Sequence, residues 1–271
     1  MNFFKVEIFF TLSLSCLYWL SLLPASTAQQ AQLDAFDREE VVFIPAKKRQ
    51  DPPSRGTPES DFGAGSRGTC PYRQEMTPLT SLVGDKALTS TIDPHPSFWV
   101  YIPYSTEDIS EGRFILQDNN DNDLYRARVS LPTDIPGIVE IKLPKTSKPL
   151  QVGEAYRWYL EIDCSQGKKQ SDDSSSSFAT LTGIVCLVEP SSQLERELTS
   201  AQNSFERVKI FAKYGIWYDA LAQLVQLRSQ DTSSSNSEKL WQSLLGQSEV
   251  GKTEVIDKTL AGKADLLPSE N

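Results

Sequence analysis

The side chains that most often perform catalysis are scarce in this 271-residue chain, which has one histidine and four cysteines. A single imidazole excludes zinc sites built on paired histidines and two-histidine iron sites within one chain. The histidine, His95, lies between two prolines and near Asp93, where a surface turn is a better interpretation than a hydrolase dyad with a serine. We therefore identify no catalytic residues, and we expect no metal and no cofactor.

The segment that starts at Asp118 begins like a calcium-binding loop, because Asn120 and Asn122 follow at a spacing of two. Asp123 stands where that loop needs its turning glycine, and Val129 stands where it needs a bidentate glutamate. A calcium cage cannot close with these residues. The sequence predicts a polar hairpin turn here instead.

Trp99 and Tyr101 form an aromatic pair at strand spacing. They alternate with apolar residues at positions 98, 100 and 102, so the two sets lie on opposite faces of a strand. If the pair is exposed, it could stack against a sugar ring or against a side chain of a partner protein. The alternative is that both faces of the strand are covered, and that the two rings belong to the core.

The charge balance argues against a nucleic-acid partner. The formal net charge is −9, with 36 acidic and 27 basic residues, and one dense basic run stands at residues 47–49. A domain that binds a duplex needs a clustered basic face to displace counterions. We interpret the short basic run as a solvated patch.

The first 28 residues have the pattern of a signal peptide. Lys5 precedes an apolar run at residues 8–23, and small residues follow Pro24, so we predict cleavage after Ala28. The alternative is an uncleaved anchor, but about 16 apolar residues are fewer than the roughly 20 that span a membrane. We expect an exported protein, in the periplasm or at the cell exterior, with no transmembrane segment after cleavage.

Three cysteines remain after that cleavage, namely Cys70, Cys164 and Cys186, so at most one disulfide can form within the chain. Residues 155–164 and 178–188 have the pattern of consecutive strands. In such a hairpin Cys186 would lie near the start of the first strand, too far from Cys164 to bond. We predict a disulfide between Cys70 and Cys164, against the alternative of buried thiols, and leave the state of Cys186 open.

The remaining chain divides by its periodicity into an α+β protein. Residues 29–66 are rich in proline, glycine and polar residues and predict a disordered tether, and residues 67–190 predict an antiparallel β-sandwich. Within the sandwich, period-two alternation predicts six strands near residues 98–102, 113–117, 125–130, 139–143, 156–164 and 178–188. Gly183 predicts a bulge in the last of these strands.

After the sandwich the period becomes helical. We predict a helical hairpin at residues 191–229, a serine-rich linker at 230–237, a short helix at 238–247 and a polar tail at 248–271. The turn of the hairpin resembles part of a tetratricopeptide repeat, since Gly215, Trp217 and Ala220 fit that repeat.

One such repeat cannot bury its own apolar face, so the hairpin must dock on the sandwich or on another protein. Trp217, Tyr218 and Asp219 are then the candidate contact for another exported or envelope protein.

Four ordered motifs occur together in a known family: RGTC at residues 67–70, HPSFWVY at 95–101, the pair Tyr156 and Trp158, and GIWYDAL at 215–221. Through them the chain resembles the exported cyanobacterial proteins of domain of unknown function family 928, over residues 67–245. The resemblance implies a leader followed by a β-rich and helical domain. It implies no activity and no catalytic residue.

Two functions of different classes follow from the sequence. The first is a non-enzymatic envelope module that acts as an adaptor through the helical hairpin. The alternative is a protein that binds a polysaccharide at Trp99 and Tyr101. A hydrolytic form of this alternative would need two carboxyl groups about 5 to 9.5 Å apart, and the sequence does not identify them.

Overall fold

The structure is a computed structural model. The residues it describes are 41–45, 70, 76–85, 88–109, 111–164, 178–230 and 235–268. The predicted signal peptide and most of the predicted tether lie outside these residues. Among the helices of the described part, none is both long and apolar enough to cross a membrane.

The strands are described first. Their bounds in chain order are β1 Thr80–Ser81, β2 Ser90–Thr91, β3 Ser97–Ile102, β4 Glu111–Gln117, β5 Asp123–Ser130, β6 Gly137–Lys142, β7 Ala155–Asp163, β8 Phe178–Leu187 and β9 Leu260–Pro268. The six strands that the sequence predicts correspond to β3 through β8. In β7 every second side chain is buried, as period-two alternation requires.

The α+β class is confirmed, whereas the expected antiparallel sandwich is not. The strands form one sheet in the order β1-β3-β6-β9-β5-β4-β7-β8-β2. It is a mixed sheet, because β2 runs parallel to β8 and β9 runs parallel to β6. Strand β9 comes from the predicted polar tail. It lies between β6 and β5 and pairs with both, so it joins the group β1-β3-β6 to the group β5-β4-β7-β8-β2.

The sheet is curled. The segment between β1 and β2 forms hydrogen bonds with β3, near one end of the sheet, and with β8, near the other end. On one side, the Leu82 amide donates to the Trp99 carbonyl oxygen of β3 at 2.9 Å. On the other side, the Ile184 amide of β8 donates to the Gly84 carbonyl oxygen at 2.7 Å. This stretch therefore brings the β3 and β8 ends of the sheet close together.

Aromatic side chains fill the inside of the curl. The Phe98 ring lies 4.8 Å from the Phe114 ring and 5.6 Å from the Trp158 ring, centroid to centroid. Gly183 pairs with Trp158 in regular register, so the predicted bulge is wrong. A Cβ at Gly183 would lie 2.6 Å from the Trp158 indole. The glycine makes room for this ring.

Four α-helices are described. Their bounds are α1 Ser192–Ser200, α2 Ser204–Lys213, α3 Trp217–Gln230 and α4 Ser235–Leu245. The sequence predicts a single helix before Gly215, but the chain breaks between α1 and α2. The Asn203 side chain accepts a hydrogen bond from the Glu206 amide at 2.9 Å and starts a new helix. The predicted turn at Gly215 is present, with φ 69°.

Helix α3 packs on the sheet of its own chain. Trp217 and Tyr218 have 0% and 1% of their surface exposed. The Trp217 Nε1 donates to the Leu82 carbonyl oxygen at 2.8 Å, and the Tyr218 ring lies 5.8 Å from the Phe98 ring. These two predicted partner contacts are core residues in this conformation, because docking on the sheet buries the apolar face that one hairpin leaves open.

Part of the predicted tether is ordered. Residues 41–45, here called the strap, lie along the helices, and Phe43 is 1% exposed with its ring 5.1 Å from that of Trp217. All the described residues fall in one compact unit, Val41–Asn271. The strap is an apolar patch inside a polar stretch, so the average composition conceals its capacity to pack.

The predicted disulfide is present between Cys70 and Cys164, with Cα atoms 5.2 Å apart. The hairpin register is also as expected, since Cys186 pairs with Ala155 at the far end of β7. Cys186 is buried and lies outside this disulfide.

Candidate functional site

A cleft of about 760 Å³ lies between the sheet and the helices. Strands β3, β6 and β9 supply one wall, helices α2 and α3 supply the other, and two residues after β2, Ile92 and Asp93, also line the cleft. A volume of this size suits a small ligand.

The strand wall carries a row of three side chains. Trp99 of β3 pairs with Glu140 of β6, and Glu140 pairs with Lys263 of β9. Directly paired residues share a face of the sheet, so the three side chains stand together at the cleft. The Glu140 carboxylate accepts a hydrogen bond from the Ser97 hydroxyl at 2.6 Å and lies 3.3 Å from the Lys263 Nζ.

The helix wall carries Asp219, in the first turn of α3. Its Oδ2 accepts hydrogen bonds from the Thr91 hydroxyl at 2.8 Å and from the Ile92 amide at 3.1 Å. Burial raises the pKa of this carboxyl from 3.8 to about 6, although the two hydrogen bonds oppose the shift. The residue keeps some contact with solvent, and it lines the cleft.

The cleft has equal numbers of acidic and basic side chains. The acidic and basic lining residues are Asp93, Glu140, Asp219, Lys142, Arg207 and Lys263. Asp93 and Lys142 form an ion pair at 2.7 Å, and the Arg207 guanidinium lies 5.8 Å from the Phe211 ring centroid and donates to the Leu198 carbonyl oxygen at 3.2 Å. This balance favours a ligand without a strong net charge.

Trp99 is 5% exposed, and its Nε1 is a buried donor with no hydrogen-bond partner among the described residues. Buried donors are nearly always paired, with protein, with water or with a ligand. Trp99 is also one of the lining residues of the cleft.

The candidate sugar-stacking pair does not form an exposed platform. Trp99 lines the cleft, whereas Tyr101 is 7% exposed and is not a lining residue. The Lys258 Nζ lies 5.8 Å from the Tyr101 ring centroid. Burial raises the Tyr101 pKa, and the nearby Lys258 charge opposes this shift. Of the two aromatic residues, the structure leaves Trp99 at the candidate site.

The two other chemical motifs of the sequence are those of His95 and Asp118, and neither residue lines the cleft. The His95 Nε2 lies 3.2 Å from the Ser147 carbonyl oxygen, so this contact is to the backbone rather than to a hydroxyl. Asp118 accepts hydrogen bonds from the amides of Asn120 and Asn122, which confirms the polar turn. Among the described residues no group of three or more histidine, cysteine or carboxylate side chains could hold a metal.

Sequence reasoning identified Trp99 and Asp219 but missed Glu140, Lys142 and Lys263. One signal for Glu140 was available, since it stands in the middle of an apolar strand between Val139 and Ile141. No local pattern in the sequence predicts that β6 pairs with β9, so Lys263 could not be predicted as a neighbour of Glu140.

Comparison with protein families finds one match. The family model described as Domain of Unknown Function (DUF928) matches residues 62–260, well over half of the chain. Comparison with curated proteins and with solved structures finds no match.

Proposed function

This chain belongs to the Domain of Unknown Function (DUF928) family, and from the geometry of its cleft we propose that it is a non-enzymatic binding module for a short carbohydrate. The observation that carries the proposal is the buried Trp99 Nε1, which has no acceptor among the described residues. Leaving such a donor unpaired costs about 1 to 3 kcal/mol. An oxygen atom of a ligand that reaches this N–H from the cleft would remove this cost.

The rest of the lining suits the same ligand class. Sugar hydroxyls both donate and accept, and the cleft offers the Glu140 and Asp219 carboxyl groups together with the side-chain amides of Gln223 and Gln226. Sugar rings also have apolar C–H faces, which the half-buried lining residue Leu260 can contact. The balanced charges favour this neutral ligand over an ionic one.

The predicted partner contact at Trp217 and Tyr218 is not part of this proposal, because both side chains are buried. Asp219, the third residue of that prediction, lines the cleft. The proposal therefore follows the carbohydrate alternative.

The test is titration calorimetry with a panel of neutral mono- and disaccharides. Trp99→Phe keeps an aromatic ring but removes the N–H, and we expect roughly a tenfold loss of affinity from one lost hydrogen bond. Glu140→Gln should weaken binding as well. Absence of binding by the folded wild type across the panel would refute the proposal.

The matched control is Glu161→Gln. Glu161 lies on β7 and pairs with Arg113 at 3.1 Å, and it is not a lining residue of the cleft. This variant should bind sugar like the wild type. Release of new reducing ends during the titration would indicate the hydrolytic form of the alternative rather than binding alone.

We also propose that the chain is exported. The Cys70–Cys164 disulfide supports export, because such bonds persist in oxidising compartments. When the full chain is expressed in a bacterium, N-terminal sequencing of the protein in the periplasmic fraction should find a start at Gln29. Retention of residues 1–28 on a cytoplasmic protein would contradict export.

A further inference from the structure

The strap, residues 41–45, binds the helices through its backbone. The Gln247 side-chain amide makes two of the bonds: its Oε1 accepts from the Phe43 amide at 2.8 Å, and its Nε2 donates to the Val41 carbonyl oxygen at 2.6 Å. The Ile44 amide donates to the Ala212 carbonyl oxygen at 3.0 Å. All three bonds involve groups that every peptide segment without proline at these positions possesses.

Two side chains of the strap are anchors, one aliphatic and one aromatic. Val41 and Phe43 are 8% and 1% exposed, and the Phe43 ring lies edge-on to Trp217. Val42 and Ile44, by contrast, are each 52% exposed. This alternating burial is typical of an extended segment, so the binding surface selects an extended backbone with an aliphatic and an aromatic residue two positions apart. This combination is how peptide-binding proteins read short segments, with backbone bonds for affinity and a pocket for specificity.

We propose that the surface formed by Ala212, Trp217 and Gln247, the strap groove, is a recognition site for an extended peptide segment of a partner protein that has an aromatic anchor two positions after an aliphatic one. The strap is the self-ligand that occupies this groove. A partner segment competes with it, and the covalent connection of the strap favours the self-ligand at low partner concentration.

The strap groove is separate from the cleft. None of Ala212, Trp217, Gln247 and Phe43 lines the cleft. The inference therefore stands or falls independently of carbohydrate binding. In this proposal Trp217 contacts the partner segment when that segment replaces Phe43 of the strap.

The test uses a fluorescently labelled peptide of residues 40–46, EVVFIPA, and the full chain. Phe43→Ala in the protein removes the aromatic anchor of the strap, and Ile44→Pro removes the bond to Ala212 without altering the groove. We expect the peptide to bind both variants at least about tenfold more tightly than it binds the wild type, since their grooves are less occupied.

Two controls separate specific recognition of the peptide from binding to a destabilised protein. A peptide with alanine in place of the phenylalanine should not bind, and Gln247→Ala added to the Ile44→Pro protein should weaken binding by roughly tenfold or more through two lost bonds. Circular dichroism checks that each variant is folded. If the peptide binds neither folded strap variant, or if the alanine peptide binds equally well, the proposal is overturned.

Discussion

The Nε1 of Trp158 on β7 donates a hydrogen bond to the hydroxyl of Tyr218 on α3 at 3.0 Å. The same hydroxyl donates to the Ile184 carbonyl oxygen of β8 at 3.0 Å. Burial raises the Tyr218 pKa well above its usual value, so the hydroxyl keeps its proton and stays a donor. Through this one oxygen atom the helices are fixed to two strands of the sheet.

Tyr218→Phe should destabilise the fold by about 3 kcal/mol, because it leaves a buried N–H and a buried carbonyl without partners. Urea denaturation followed by circular dichroism measures the change in unfolding free energy. Tyr214→Phe is the control, since the Tyr214 hydroxyl bonds to Glu197 near the surface and its loss should have a much smaller effect. Equal effects of the two substitutions would contradict the role of Tyr218.

Removal of β9 should abolish cooperative unfolding. A chain that ends at Thr259 loses the strand between β6 and β5, which exposes one edge of each and divides the sheet. Thermal unfolding by circular dichroism should change from a sharp transition to a broad one. A chain that ends at Pro268 keeps β9 and should unfold like the full chain, and a sharp transition in the shorter chain would show that β9 is dispensable.

The disulfide should stabilise the fold mainly by lowering the conformational entropy of the unfolded chain. Cys70 and Cys164 are separated by 94 positions, and closing a loop of this length is worth about 4 to 5 kcal/mol in the chain-entropy model. Cys164→Ser should lower the unfolding free energy by this order in non-reducing buffer. Adding a reductant to the variant should then change nothing further, whereas it should destabilise the wild type.

Asp219 should make stability depend on pH between about 4 and 7. Its pKa is raised from 3.8 to about 6, so the folded state binds this proton more tightly than the unfolded state does. The associated stabilisation is present at low pH and is lost as pH rises through 6, by at most about 3 kcal/mol. The charges that face this carboxyl are those of Asp93, which raises the pKa, and Lys142, which lowers it.

The Asp219→Asn variant tests this pH effect. The asparagine oxygen can still accept from Thr91 and Ile92 but does not titrate in this range. Denaturation at a series of pH values should show the wild type losing stability relative to the variant as the pH rises from 4 to 7. Parallel pH profiles for the two proteins would exclude Asp219 as the cause.

The cleft was only partly accessible to sequence reasoning. Trp99 and Asp219 each stood in a local pattern that drew attention, one in an aromatic alternation and the other in a helical turn. Glu140 and Lys263 are 123 positions apart and become neighbours only when β6 pairs with β9. No periodicity along the chain encodes such a contact.

The sequence by itself determined the elements whose patterns are local. Short apolar or alternating segments of the sequence predict β3 through β8, and Gly215 predicts the helical turn, where its φ is positive. The hairpin register separates Cys186 from Cys164. Tertiary structure alone decided that β9 joins the strands into one mixed sheet, and that the strap packs on Trp217. Neither segment has a regular pattern of its own, so the conformation of each is stabilised by the distant strand edges and helices that it contacts.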